Sequence, residues 1–229
     1  MVFLISPLSL MKKLTVSLIA IAAIFASCGG KGEKAETSDA EAVETIQTDA
    51  TVTYETIKDG SYMNWKASHL GGVQERFGNI FFNKATFSVT DGALTNAKVS
   101  VDMSSLTVEN FPEGDEKIGK LTGHLLGQDF FNTETYPNST FELTGIEAIE
   151  GEFNSEVTGN LTMLDKTKSI TFKANVMVED DAVAIASENF SVDRTNWGLS
   201  YHIEGSEGVP VDYLIDNEIG FKIDITATK

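Results

Sequence analysis

The side chains best suited to chemistry in this 229-residue chain are three histidines, His69, His124 and His202, and the carboxylates near them. Histidine titrates near neutrality and is the commonest metal ligand, so three of them raise the question of a zinc centre or of acid–base catalysis. A zinc centre takes three or four convergent ligands. These histidines are far apart in sequence, with no HxH or HExxH spacing, and the one cysteine, Cys28, lies well ahead of them, so no metal site is expected. Serines are plentiful, yet no GxSxG elbow is present. Asp180-Asp181, Asp212 and Asp216 fall in turn-like stretches, where solvated loops account for carboxylates. His124 and Asp129, within HLLGQDFFNTETYP, make the one acid–base pair that can be drawn. The structural reading is that His124 closes a helix end, its ring bonded to a backbone carbonyl or to Asp129. No catalytic residue is assigned, and a non-enzymatic role is expected.

Apolar side chains are the second resource. Trp65, Phe81, Phe87, Leu125, Phe130, Phe141, Phe172, Trp197, Tyr201 and Phe221 are dispersed along the chain and are the candidates for lining an apolar cavity. Ordinary core packing competes for each of them. Phe81-Phe82 and Phe130-Phe131 are adjacent pairs, and along an extended backbone neighbours point to opposite faces, so only one of each pair can face a lumen.

These side chains must be positioned by something that begins well after the N-terminus. Lys12-Lys13, the apolar run Leu14–Ala26 and the small residues before Cys28 form a secretion signal over residues 1–27, with Met11 as an alternative start. The apolar core is too short for a membrane span. Cys28, the only cysteine, excludes an intrachain disulfide and sits where a bacterial lipoprotein signal places its acylated residue. The expectation is secretion across the inner membrane and a lipid anchor in the cell envelope, on the outer membrane or the periplasmic face. Residues 28–57 are rich in Glu, Thr, Ala and Gly and predict a flexible acidic tether. The formal net charge of −17, which becomes more acidic once Lys12 and Lys13 are removed, opposes binding to nucleic acid or anionic headgroups.

Residues 58–229 predict one β-rich domain. Phe221, Ile223, Ile225 and Ala227 alternate with polar residues in a final strand. Phe87 and Val89, the turn dipeptide Asp91-Gly92, then Ala97, Val99 and Val101 read as a hairpin. A second hairpin is expected around DKTK at 165–168, and Phe141 and Leu143 alternate in a further strand. Ile118, Leu121 and Leu125 recur at helical spacing behind an acidic first turn, predicting a short helix. Short strands without repeats suggest an antiparallel barrel or a sandwich, and alternation does not choose between them.

The order of YMNWKASH (62–69), RFGNIFF (76–82), VSVDMSSL (99–106), LTGHLLGQDFFNTETYPNSTFELT (121–144), VTGNLTMLDKTKSITF (157–172), SVDRTNWGLSY (191–201) and YLIDNEIGFKIDITA (213–227) resembles the YceI-like lipid/polyisoprenoid-binding family. The most specific piece is His124, Leu125, Asp129, Phe130, Phe131, Tyr136 and Pro137. Arg76-Phe77-Gly78 departs from the pattern, since the family often has a histidine before that glycine. The resemblance implies an all-β fold, an eight-stranded antiparallel lipocalin-like barrel with a short helical insertion, around a cavity for an isoprenoid quinone, a polyprenol or another long-chain lipid. It implies storage or transport of that lipid, no cofactor other than the bound isoprenoid, and a membrane partner reached through Cys28. A binding or adaptor domain with a filled interior, and an envelope enzyme using His124 and Asp129, are the rival readings. Oligomeric state is open, a dimer included.

Overall fold

The computed structural model describes residues 32–70 and 75–229. The signal segment and Cys28 lie outside the described residues. Among the described residues no helix is long and apolar enough to cross a membrane.

Thirteen strands form one sheet: β1 (Glu33–Lys34), β2 (Glu36–Asp39), β3 (Val52–Tyr54), β4 (Thr56–Ile57), β5 (Tyr62–Ala67), β6 (Arg76–Thr90), β7 (Ala93–Asp102), β8 (Asn138–Ala148), β9 (Ser155–Met163), β10 (Lys166–Val178), β11 (Ala182–Ser187), β12 (Phe190–Asp193) and β13 (Glu218–Thr228). Antiparallel pairing runs from β5 through β6, β7, β8, β9, β10 and β11 to β13, which pairs back to β5. Those eight strands close a ring. Closure removes sheet edges and encloses an apolar face. The ring is irregular, because β3, β4 and β5 form one interrupted wall position and β11 with β12 form another.

Local chemistry explains the elements. In β13, Ile219, Phe221, Ile225 and Ala227 are buried while Lys222 and Asp224 face solvent, as the period-two pattern requires. Asp91 and Gly92 take φ values of 53° and 80°, the doubly left-handed turn that matches the twist of a two-residue hairpin between β6 and β7. The next hairpin turns at Leu164-Asp165, with Leu164 at φ 53°, and Lys166–Lys168 already pair with β9. The expected turn at DKTK is therefore displaced towards the N-terminus, because pairing of Thr162 with Thr167 continues the ladder through residues that composition assigns to a loop. Among the described residues one α-helix, α1 (Glu116–Leu126), interrupts the strands, and the Asp115 carboxylate accepts from the Lys117 backbone N–H at 2.9 Å to cap it.

The segment expected as a tether contains paired strands. β2 runs antiparallel to β10, with Thr37 opposite Ile170, and β1 runs parallel to β12, with Glu33 opposite Phe190. Beyond β2, the buried Asn160 side chain grips Glu41 from both sides. It accepts from the Glu41 N–H at 2.9 Å and donates to the Glu41 carbonyl at 2.7 Å. Composition reports burial capacity, and this segment has little; its order comes from backbone edges that another part of the chain leaves vacant.

Candidate functional site

The ring encloses a cavity of about 80 Å³ in which Ser139 and Thr140 are the only polar lining residues. Four aromatic rings cross its wall in sequence. Phe141 and Phe172 have centroids 5.8 Å apart, Phe172 and Phe190 4.6 Å, and Phe190 and Phe221 6.0 Å. Phe87 joins them, fully buried on β6. Met63, Met103 and Met163 complete the lining with unbranched side chains that repack readily. Gly159 lies beneath the Phe141 ring: a Cβ there would overlap Phe141 and come 2.6 Å from the Glu142 carbonyl oxygen.

Two further spaces adjoin this cavity. A void of about 30 Å³ shares Ile80, Phe131 and Phe221 with it. That void shares Trp65, Ala67, Leu125, Phe130 and Ile215 with a mouth of about 240 Å³. The mouth is mixed: Trp65, Leu121, Leu125, Phe130 and Ile215 give it an apolar wall, and His69, Arg76, His124, Tyr201, His202 and Tyr213 bring polar groups to it. Polar side chains are thus gathered at one end of an otherwise apolar interior, the pattern of a site for a ligand with an apolar body and one polar end.

The mouth has a built frame. Arg194, buried in the short 3-10 turn Arg194–Trp197, donates from Nε to the Asp216 carbonyl (3.1 Å), from Nη1 to Leu199 (2.8 Å), and from Nη2 to Tyr201 (3.0 Å) and Ile215 (3.2 Å). One rigid guanidinium therefore ties together two loop segments that carry Tyr201, His202 and Ile215. Burial pulls its pKa below the ordinary arginine value, and the charges of Asp193 and Asp216 oppose that pull. Arg76 is lowered in the same direction by burial, and its guanidinium lies 5.0 Å from the Phe111 ring centroid. Across the mouth, Trp65 donates its indole N–H to the Thr107 carbonyl at 2.9 Å, directly over Gly78, where a Cβ would overlap the same carbonyl. That close approach explains the glycine in RFGN.

The fold brings all three histidines to this mouth, which sequence spacing did not foretell. Among the described residues, however, no group of three His, Cys, Asp or Glu side chains converges as metal ligands would. Of the two ring partners expected for His124, a backbone carbonyl or Asp129, the Asp129 carboxylate lies at an ion-pair distance of 4.0 Å from Nδ1 and not at hydrogen-bond distance. His124 is held instead by rings, edge-on to Phe130 at 5.0 Å and to Tyr201 at 4.9 Å.

Of the ten cavity candidates, Phe87, Phe141, Phe172 and Phe221 line the central cavity, and Trp65, Leu125 and Phe130 line the void and the mouth. Tyr201 lines the mouth. Phe81 does not face inward: it is 42% exposed, and Phe82 takes the lumen position. A register shift between Phe82 and Lys84 decides that parity, and no local pattern signals it. Trp197 lines none of these spaces; it is fully buried in the wall with its indole N–H on the Leu161 carbonyl at 3.0 Å. Sequence reasoning missed Phe82, Phe131, Phe190 and Arg194. SVDRTNWGL mixes polar and apolar residues and gave no local signal for the last, whose burial depends on carbonyls of other segments.

The model of the family described as YceI-like domain matches residues 54–227. A UPF0312 protein of Pseudomonas putida strain GB-1 is 33% identical over 131 residues, covering 53% of this chain and 60% of that protein. A UPF0312 protein of Azotobacter vinelandii is 30% identical over 129 residues, covering 55% and 62%. The chain therefore aligns with somewhat under two thirds of the length of these relatives. Among solved structures, a polyisoprenoid binding domain from Saccharophagus degradans, implicated in plant cell wall breakdown, superposes with a TM-score of 0.54 at 15% identity, over 77% of this chain and 99% of that one. Burkholderia cenocepacia BcnA superposes with a TM-score of 0.53 at 19% identity, over 73% and 96%. At such identities the likeness speaks for the fold alone.

Proposed function

The chain belongs to the YceI-like domain family, and on that premise we propose that its interior binds the apolar chain of a long lipid, an isoprenoid quinone or a polyprenol, for storage or transport in the cell envelope. The observation that carries this reading is the run of three adjoining spaces, apolar at the barrel centre and with polar side chains gathered at the mouth. The Saccharophagus degradans domain, described as polyisoprenoid binding, supports the ligand class by analogy of fold.

The energetics favour a carrier over a trap. Moving one five-carbon isoprene unit from water to an apolar cavity yields about 3 to 4 kcal/mol gross, at roughly 0.8 kcal/mol per carbon group. A bilayer offers the same environment, so exchange between membrane and barrel is close to balanced. The central space of about 80 Å³ is well below the roughly 300–1,000 Å³ of ordinary ligand pockets, so loading requires the lining to spread. The flexible methionines and the aromatic wall are the parts that can move. Acylation of Cys28 would supply the address, since several acyl chains anchor stably where one does not.

Mass spectrometry of an organic extract of the protein purified from its native membranes tests the reading. A co-purifying isoprenoid, or uptake of added polyprenol in roughly 1:1 ratio as a single lumen allows, is the expected result; an empty extract together with no uptake removes the proposal.

A further inference from the structure

A lumen this narrow must part its wall to admit a chain, and one seam of the wall is filled by a segment with almost no buried apolar side chain. Over Lys166–Lys173, β10 pairs with β9 on one side, but β11 reaches it only from Ala174 onward. β12, which continues that wall position, pairs with β13 and not with β10. Residues 33–39 fill the resulting gap, antiparallel to β10 and parallel to β12. The filler lies ahead of the residues that the family model matches, 54–227.

Its hold is polar. Within GEKAETSD only Ala35 is buried. Besides its backbone pairing, the segment is pinned by Lys168–Asp39 at 2.8 Å, Lys173–Glu33 at 3.2 Å, Lys34–Glu218 at 2.6 Å, and the Asn160 grip on Glu41. Exposed ion pairs contribute little, and an element with so little buried apolar area belongs to the low-stability end of a structure. On the inner side of the seam, the stacked rings of Phe172 and Phe190 both line the lumen.

We propose that residues 33–39 are a removable strand of the barrel wall, and that the seam they fill between β10 and β12 is the lateral port through which a long apolar chain passes into the lumen. The port rests on the lipid-binding reading above. Peeling this strand returns polar backbone groups to water and breaks no bond of the eight-strand ring; the other pairings made from outside that ring, β3 on β6 and β4 on β13, are anchored by the buried Tyr54, whose hydroxyl donates to the Glu179 carbonyl at 3.1 Å. Only the Phe172–Phe190 stack must then swing aside. Position agrees with this use. Glu33 follows Cys28 by five residues, so the covalent chain limits their separation to about 17 Å whatever its conformation, and lipid acylation at Cys28 would limit how far the strand can be from a bilayer.

The test uses the full chain carrying Cys28→Ser, with Glu36→Cys and Thr171→Cys placed at directly opposed positions. Oxidation staples the strand to β10, and reduction frees it. The probe is a polyprenol in neutral phosphatidylcholine vesicles, and protein-bound polyprenol is followed against time after the vesicles are removed. The stapled form is expected to load at least ~10-fold more slowly than the same protein after reduction, because loading then waits on an opening that cannot occur. Each single-cysteine variant under oxidant should load at the reduced rate. Equal rates for stapled and reduced protein overturn the port and leave lipid binding standing. No loading by any form, the unsubstituted chain included, overturns lipid binding and the port with it. Hydrogen exchange on the unsubstituted chain gives a second reading: amides of residues 33–41 should exchange well before those of β9, and exchange of both only by global unfolding overturns the removable strand.

Discussion

Phe172 and Phe190 lie face to face, centroids 4.6 Å apart and planes 8° apart, although their strands, β10 and β12, do not pair with each other. Side-chain stacking thus closes the inside of a seam whose outside is closed by backbone pairing to residues 33–39. Two weak devices from distant parts of the chain meet at one place in the wall.

Replacing either ring should therefore be costly, and the two losses should not add. Phe172→Ala and Phe190→Ala are each expected to lower unfolding free energy by about 3–5 kcal/mol. A double-mutant cycle in chemical denaturation should give a coupling of about 0.5–1.5 kcal/mol. Strict additivity would show that the rings are neighbours without being partners.

The pinning of residues 33–39 should depend on pH and salt. Lys168 holds the Asp39 carboxyl below its ordinary value of 3.8, chiefly through their hydrogen bond, so that contribution is present above pH 3.8 and is lost as pH falls through the lowered folded value. Hydrogen bonds donated to the Glu218 and Glu33 carboxylates raise Lys34 and Lys173 above 10.5, so their contributions are complete below pH 10.5 and are lost as pH rises through the raised values. Amide protection of residues 33–39 relative to β9 is expected to be flat across the neutral range, to fall at both extremes, and to weaken at about 1 M salt, where screening reaches within about 3 Å. Protection unchanged at all three would show that backbone pairing alone holds the strand.

Arg194→Met leaves the carbonyls of Leu199, Tyr201, Ile215 and Asp216 without their shared donor. Loss of about 3–5 kcal/mol is expected, the range for breaking a buried charged network. Arg194→Lys should recover only a minor part, because an ammonium cannot reproduce the planar fork. Arginine stays protonated throughout the working range, so the loss measured by denaturation at pH 6 and at pH 8 should agree. Full rescue by lysine would contradict the geometric account.

Gly159→Ala should displace the Phe141 ring and strain the Glu142 backbone, costing about 1–3 kcal/mol. For a chain of this size that corresponds to a fall in Tm of roughly 2–4 °C per kcal/mol. Gly145→Ala is the matched control. The nearest atom to its added Cβ, in Thr158, is 3.8 Å away, and little change is expected. Equal melting temperatures for both variants would rule out the close contact as a constraint.

Much of the architecture was legible from residue order. The alternation in β13, the Asp91-Gly92 turn and the capped helix behind Asp115 are local consequences of backbone period, left-handed propensity and hydrogen-bond satisfaction, and each stands where its residues put it. The motif order through HLLGQDFFNTETYP carried the family and the all-β class. That stretch itself is a junction: α1 delivers His124 and Leu125 to the mouth, and Phe130 and Phe131 turn in behind them.

The tertiary structure decided the rest, wherever the deciding partner is far along the chain. A register shift in β6, opposite β7, put Phe82 inside and Phe81 outside. Ring closure gathered His69, His124 and His202 at one mouth, and Arg194 set that mouth's shape through carbonyls on separate loops. Residues 33–39 have the composition of a solvated tether and become a strand because β11 stops short on β10 and leaves a row of backbone donors and acceptors unpaired. Period and turn chemistry act over a few residues and can be read in order, whereas a vacant edge exists only once the whole sheet has closed around it.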